Sequence, residues 1–140
     1  MKKLKIKQIS SYFDDIYVEG IVDGHCEYFI VRNNDKSAVF DKNNKQVTNW
    51  YDDIIVDGLF TGDSNYFMVY NNNKFAIFND NFKQISDWYD DINVDGLLYN
   101  DSEYFIAKNN NLSTFKIIFY THALSNMAIY ILHSIFFKHL

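Results

Sequence analysis

A nine-residue block recurs three times at a fixed interval, and that interval constrains the fold more than any other feature of the chain. Gln8-Ile9-Ser10-Ser11-Tyr12-Phe13-Asp14-Asp15-Ile16 returns as Gln46-Val47-Thr48-Asn49-Trp50-Tyr51-Asp52-Asp53-Ile54 and as Gln84-Ile85-Ser86-Asp87-Trp88-Tyr89-Asp90-Asp91-Ile92, each block starting thirty-eight residues after the last. A glycine follows twelve residues after each Gln, at Gly20, Gly58 and Gly96, and then a paired aromatic, at Tyr28-Phe29, Tyr66-Phe67 and Tyr104-Phe105. Units one and two share 17 of 38 positions. Self-similarity at such a period marks stacked units, each too small to bury its own apolar face.

Within a unit the apolar runs are short and bounded by Asn and Gly clusters, which is the pattern of strands joined by tight turns. Tyr28 to Arg32 reads as one strand, Asn33-Asn34-Asp35 as a turn, and Lys36 to Asp41 as the returning strand. Asn and Asp suit such turns because they tolerate left-handed backbone and bond to their own main chain. A further turn at Lys42 to Lys45 leads into a third strand, Gln46 to Trp50. Tyr66-Phe67-Met68-Val69-Tyr70 is apolar at every position, so both faces of that strand should be covered. The expected fold is an all-β repeat protein of antiparallel strands and tight turns, stacked, solenoid-like or propeller-like, with units at 8–45, 46–83 and 84–111.

After Asn109-Asn110-Asn111 the repeat calls for Lys-Phe-Ala-Ile-Phe, but Leu112-Ser113-Thr114-Phe115-Lys116 stands there. The stretch 112–140 contains no Asp, Glu or Gly, and holds His122, His133 and His139. The expected division is therefore a repeat domain at 1–111 and an apolar tail at 112–140, helical because a helix satisfies backbone bonds locally. Its origin is read as a frameshift that ended a longer array. A capping amphipathic helix using Leu124, Met127, Ala128, Ile131 and Ile135 is a competing reading. A membrane contact through 117–137, about the length of a spanning helix, is not favoured, because His122, Asn126 and His133 interrupt it.

The formal charge of −5 and pI near 5.2 set the chain apart from proteins that bind nucleic acid or anionic membrane through basic residues. The single cysteine, Cys26, leaves no intrachain disulfide framework, and no apolar run follows the basic start, Met1 to Lys7, so neither an oxidising compartment nor a signal peptide is read. A cytoplasmic location is expected.

Lys36-Ser37-Ala38-Val39-Phe40-Asp41, then Asn43-Asn44-Lys45 and Tyr51-Asp52-Asp53-Ile54, resemble the bacterial WG (KWG) repeat, over roughly Gln8 to Asn111. The Trp-Gly pair of that family is here Ser37-Ala38 in one unit and Phe75-Ala76 in the next, and the chain has no proline. The resemblance implies an all-β scaffold that mediates interactions, with no catalytic residues to carry over.

The Asp pairs Asp14-Asp15, Asp52-Asp53 and Asp90-Asp91 are candidate acid/base or cation-binding carboxylates. Adjacent strand residues point to opposite faces, and a residue repeated in every unit suits structure better than catalysis, so turn and strand-end roles are favoured. Asp91-Ile92-Asn93-Val94-Asp95-Gly96 matches the opening of a calcium loop, but Asn93 becomes Ile55 and Tyr17 in the other units, so no metal is expected. Trp50 and Trp88, beside the Asp pairs, are candidates for stacking on sugars or cations, with packing favoured. His25-Cys26 offers no convergent nucleophile and base, because neighbours on a strand diverge. The tail histidines are too widely spaced for a compact metal motif. The functional expectation is a non-enzymatic scaffold without cofactor that binds a protein partner, with self-association through open repeat ends as a further contact; the alternative is a small-ligand or glycan-binding repeat.

Overall fold

A computed structural model describes residues 1–59, 61–93 and 103–118. Among these residues the strands are β1 (Asp15–Tyr17), β2 (Tyr28–Asn33), β3 (Lys36–Asp41), β4 (Asp53–Ile55), β5 (Tyr66–Asn71), β6 (Lys74–Asn79), β7 (Asp91–Asn93), β8 (Tyr104–Asn109) and β9 (Leu112–Ile117), with a short helix, α1 (Glu19–Val22). They form three open antiparallel sheets, β1-β2-β3, β4-β5-β6 and β7-β8-β9. The expected all-β, triplicated architecture is thus the observed one.

Each sheet is built on the same hairpin. Tyr28 pairs with Asp41 and Asn33 with Lys36 in the first, Tyr66 with Asn79 and Asn71 with Lys74 in the second, Tyr104 with Ile117 and Asn109 with Leu112 in the third. The two residues at each tip have positive φ, 51° and 59° at Asn34-Asp35, 52° and 62° at Asn72-Asn73, and 51° and 64° at Asn110-Asn111. That pattern is the type I′ turn, whose twist matches that of the flanking strands and which Asn and Asp enter at low cost.

Two expectations are corrected. The remaining strand of each sheet is the short segment that begins at the second Asp of the pair, and the Gln46 to Trp50 region, with Tyr51 after it, instead extends the opposite edge of the preceding sheet through isolated bridges, Phe40 to Gln46 and Ser37 to Tyr51. Phe78 to Gln84 and Phe75 to Tyr89 repeat the arrangement in the next unit. The blocks that start the second and third units therefore clip each of those units to the one before it. The second correction concerns Leu112–Ile117, which forms β9 rather than helix, in the register β6 uses in its own hairpin. Past its end the Ile118 N–H donates to the Glu103 carbonyl at 2.7 Å, as the Lys42 N–H does to Glu27 at 2.9 Å. Strand pairing thus runs six residues beyond Asn111, because an in-register antiparallel partner satisfies backbone groups whatever the side chains. The rest of the expected helical tail, 119–140, lies outside the described residues.

The middle sheet is buried on both faces. Phe67, Val69, Ala76 and Phe78 pack toward Ile30 and Val39 of the first sheet, while Tyr66, Met68 and Ile77 pack toward Phe105 and Ala107 of the third. Alternation along a strand sends neighbouring side chains to opposite faces, which accounts for the continuous apolar run at Tyr66 to Val69. Phe29, Val31, Ala38 and Phe40 form a third cluster with Phe13, Ile16 and Ile21.

Candidate functional site

The first Asp of each pair holds a hairpin tip, and in the second and third units it also ties one hairpin to the next. Asp14 Oδ2 accepts the Asn34 N–H at 2.7 Å, Asp52 Oδ2 the Asn72 N–H at 2.7 Å, and Asp90 Oδ2 the Asn110 N–H at 2.8 Å, so each carboxylate holds the hairpin tip of its own unit. Asp52 and Asp90 also receive Lys36 Nζ and Lys74 Nζ from the preceding unit's hairpin. In return Asn71 Oδ1 accepts the Asp52 N–H at 3.3 Å and Asn109 Oδ1 the Asp90 N–H at 2.9 Å. The lysine contact first, and the backbone N–H second, hold both carboxyls below the usual carboxylate range.

The second Asp has a different task. Asp15, Asp53 and Asp91 each accept the N–H of the following residue, at 2.8, 2.9 and 2.9 Å, and their side chains lie at exposed positions. Asp15 and Asp53 come together with Arg32 at a small cavity of about 190 Å³ between the first and middle sheets. Among the described residues no group of three or more His, Cys, Asp or Glu gathers as a metal site. The calcium-like segment continues from Asp91 into Val94 to Gly96, which lie outside the described residues.

Trp50 and Trp88 are not brought together. Each sits edge-on to the aromatic of the strand it clips, Trp50 to Phe40 at 6.1 Å and Trp88 to Phe78 at 6.4 Å. Trp88 also packs on Tyr51 at 6.5 Å within the core between the first and middle sheets, whereas Trp50 remains 36% exposed. Cys26 is half-buried, its thiol donates to the Tyr28 carbonyl at 3.4 Å, and burial pushes its pKa up, the opposite of an activated nucleophile. Among the described residues no helix is long and apolar enough to cross a membrane. Comparison with protein-family models, curated proteins and solved structures finds no match.

One cleft among the described residues involves positions that the sequence does not single out. About 890 Å³ in volume, it opens between the clip segment Gln84 to Tyr89 and the end of β9, with Tyr66, Tyr89, Phe105 and Lys116 among its walls. Three of these residues match, thirty-eight positions on, the aromatics Tyr28, Tyr51 and Phe67; the fourth, Lys116, replaces the aromatic Phe78. That loss of an aromatic at a repeated core position is the signal by which the sequence marks the cleft.

Proposed function

We propose that the chain is a non-enzymatic repeat scaffold of the WG type whose exposed strands and turns bind a protein partner. The observation that carries this reading is the use of the repeated carboxylates: Asp52 and Asp90, the strongest candidates for chemistry, are committed to tying one hairpin to the next. Residues repeated in every unit are thereby accounted for as parts of a stack, and stacks of this kind present extended surfaces to partners. The glycan-binding alternative draws its support from Trp50, which remains partly exposed.

The test is affinity capture by the full chain at physiological salt, followed by rebinding of the purified partner. A partner that binds the wild type directly, and a Trp50→Ala variant equally well, supports the scaffold reading. Failure to recover any direct partner, or a glycan-array signal abolished by Trp50→Ala, overturns it in favour of the alternative.

A further inference from the structure

The first block, Gln8 to Phe13, has no sheet before it among the described residues, yet it already has the shape of a clip. Gln8 Nε2 donates to the Ser10 carbonyl at 2.8 Å and Ser10 Oγ to the Ser11 carbonyl at 3.0 Å. The seated clips hold the same two bonds: Gln46 to Thr48 and Thr48 to Asn49 at 2.6 and 2.9 Å, Gln84 to Ser86 and Ser86 to Asp87 at 2.7 and 2.8 Å. The Phe13 ring, 5.6 Å from Phe40, anchors the end of the block on the first sheet. What differs is exposure. Ile9 is 67% exposed against 37% for Val47 and Ile85, and Tyr12 is 91% exposed against 36% for Trp50.

A seated clip grips the outer edge of a hairpin's second strand. The Val47 N–H donates to the Val39 carbonyl at 2.8 Å, Thr48 Oγ1 accepts the Val39 N–H at 2.9 Å, and Ser37 and Tyr51 exchange N–H bonds at 2.8 and 2.9 Å. Ile77 with Ile85 and Ser86, and Phe75 with Tyr89, repeat the set. At the ends of the grip, Trp50 and Trp88 lie edge-on to Phe40 and Phe78, and Asp52 and Asp90 receive Lys36 and Lys74. Ile9, Ser10, Tyr12 and Asp14 stand at the matching positions of the first block. Among the described residues no lysine reaches Asp14, whose Oδ2 holds the Asn34 N–H.

We propose that Gln8 to Asp14 is a preformed clip for the open sheet edge of a partner protein, a strand that carries a lysine, a β-branched residue three positions on and an aromatic after it. The proposal rests on the scaffold reading and specifies its contact. A segment added to a sheet edge gains main-chain hydrogen bonds, and its alternate side chains supply the specificity. A segment already held in its bound form loses less freedom on docking. The order Lys36, Val39, Phe40 and again Lys74, Ile77, Phe78 in the strands that clips grip sets the partner's chemistry: an ammonium for Asp14 and a ring for Tyr12. A second copy of this chain is a poor partner. Its β3 and β6 edges carry clips of their own, and β9 places Leu112 where the lysine stands and Lys116 where the ring stands.

The probe is a fluorescein-labelled, backbone-cyclised peptide copying the β2-β3 hairpin, Tyr28 to Asp41, titrated into the full chain and read by fluorescence anisotropy. Saturable binding is expected. Ile9→Pro removes the N–H that Val47 uses in its own clip, at an exposed position. It should weaken binding roughly tenfold, the larger effect of losing one backbone hydrogen bond, with the urea midpoint unchanged. Leucine in place of the peptide's lysine should weaken binding several-fold. Ile106→Ala, on the third sheet, should leave it unchanged. No saturable binding, or equal binding by wild type and Ile9→Pro, overturns the proposal. A wild-type dimer at sedimentation equilibrium that Ile9→Pro dissolves also overturns it, by assigning the clip to a second copy. A captured partner whose affinity Ile9→Pro leaves unchanged sinks the clip while the scaffold reading stands; peptide binding with no recoverable partner does the reverse.

Discussion

Replacing Phe67 by Ala tests whether the middle sheet holds the stack together. Phe67 is fully buried between the first and middle sheets, with its ring 5.5 Å from Phe78 and 5.7 Å from Phe82. Burial of a phenylalanine side chain is worth about 1.5–3 kcal/mol. Each aromatic pair adds about 0.5–1.5 kcal/mol beyond burial. These contributions agree with the roughly 3–5 kcal/mol that Phe→Ala costs in cores that cannot collapse. With a urea slope of about 1–3 kcal/mol per molar, the midpoint should fall by roughly 2 M. Ile106, on the face of the third sheet turned away from the middle one, is 43% exposed, so Ile106→Ala should cost under about 1 kcal/mol. Urea unfolding followed by circular dichroism reads both. A shift below about 0.5 M for Phe67→Ala, or equal shifts for the two variants, would refute the face-to-face stacking of the sheets.

Three further outcomes follow from the turns and ties. Asp35 has φ of 59° beside Asn34 at 51°, so Asp35→Gly should keep or raise the melting temperature, whereas Asp35→Val should cost about 1–2 kcal/mol for its β-branched side chain in left-handed backbone; calorimetry checks the pair. Asp52 and Asp90 titrate below their ordinary value of 3.8. A depressed folded pKa gives stability that is present above 3.8 and lost as pH falls through the folded value, so Asp52→Asn/Asp90→Asn should flatten that acid limb of a urea-midpoint profile, and an unchanged limb would remove the ties from the account. Burial, which raises the thiol pKa, should make Cys26 alkylate with iodoacetamide more slowly at neutral pH than a free cysteine in urea, and equal rates would contradict that environment.

Much of this fold is legible because its turns are chemical statements. Asn34-Asp35, Asn72-Asn73 and Asn110-Asn111 announce left-handed pairs, and the short runs between them announce the hairpins. The structural role of the Asp pairs is legible too, since their repetition argues against a single active site. Their partners are not: the tie from Asp52 to Asn72 spans twenty residues and the tie to Lys36 sixteen in the other direction, distances at which local propensity carries no information. The clip segment is misread for a related reason. Gln46 to Trp50 has strand composition, but whether it joins its own unit's sheet or the edge of the previous one depends on which backbone edge remains open.

β9 shows the limit most clearly. By itself the sequence determines the period, the hairpin strands of the first two units, the left-handed turn residues and the point, after Asn111, at which the side-chain register is lost. Only the tertiary structure decides that Leu112–Ile117 still completes the third hairpin, because the open edge of β8 recruits backbone groups irrespective of the side chains they carry. It also decides what the lost register costs. With Lys116 in place of the Phe78 ring, the cross-strand aromatic pair that Phe67 and Phe78 make in the middle sheet becomes Phe105 opposite Lys116 in the third.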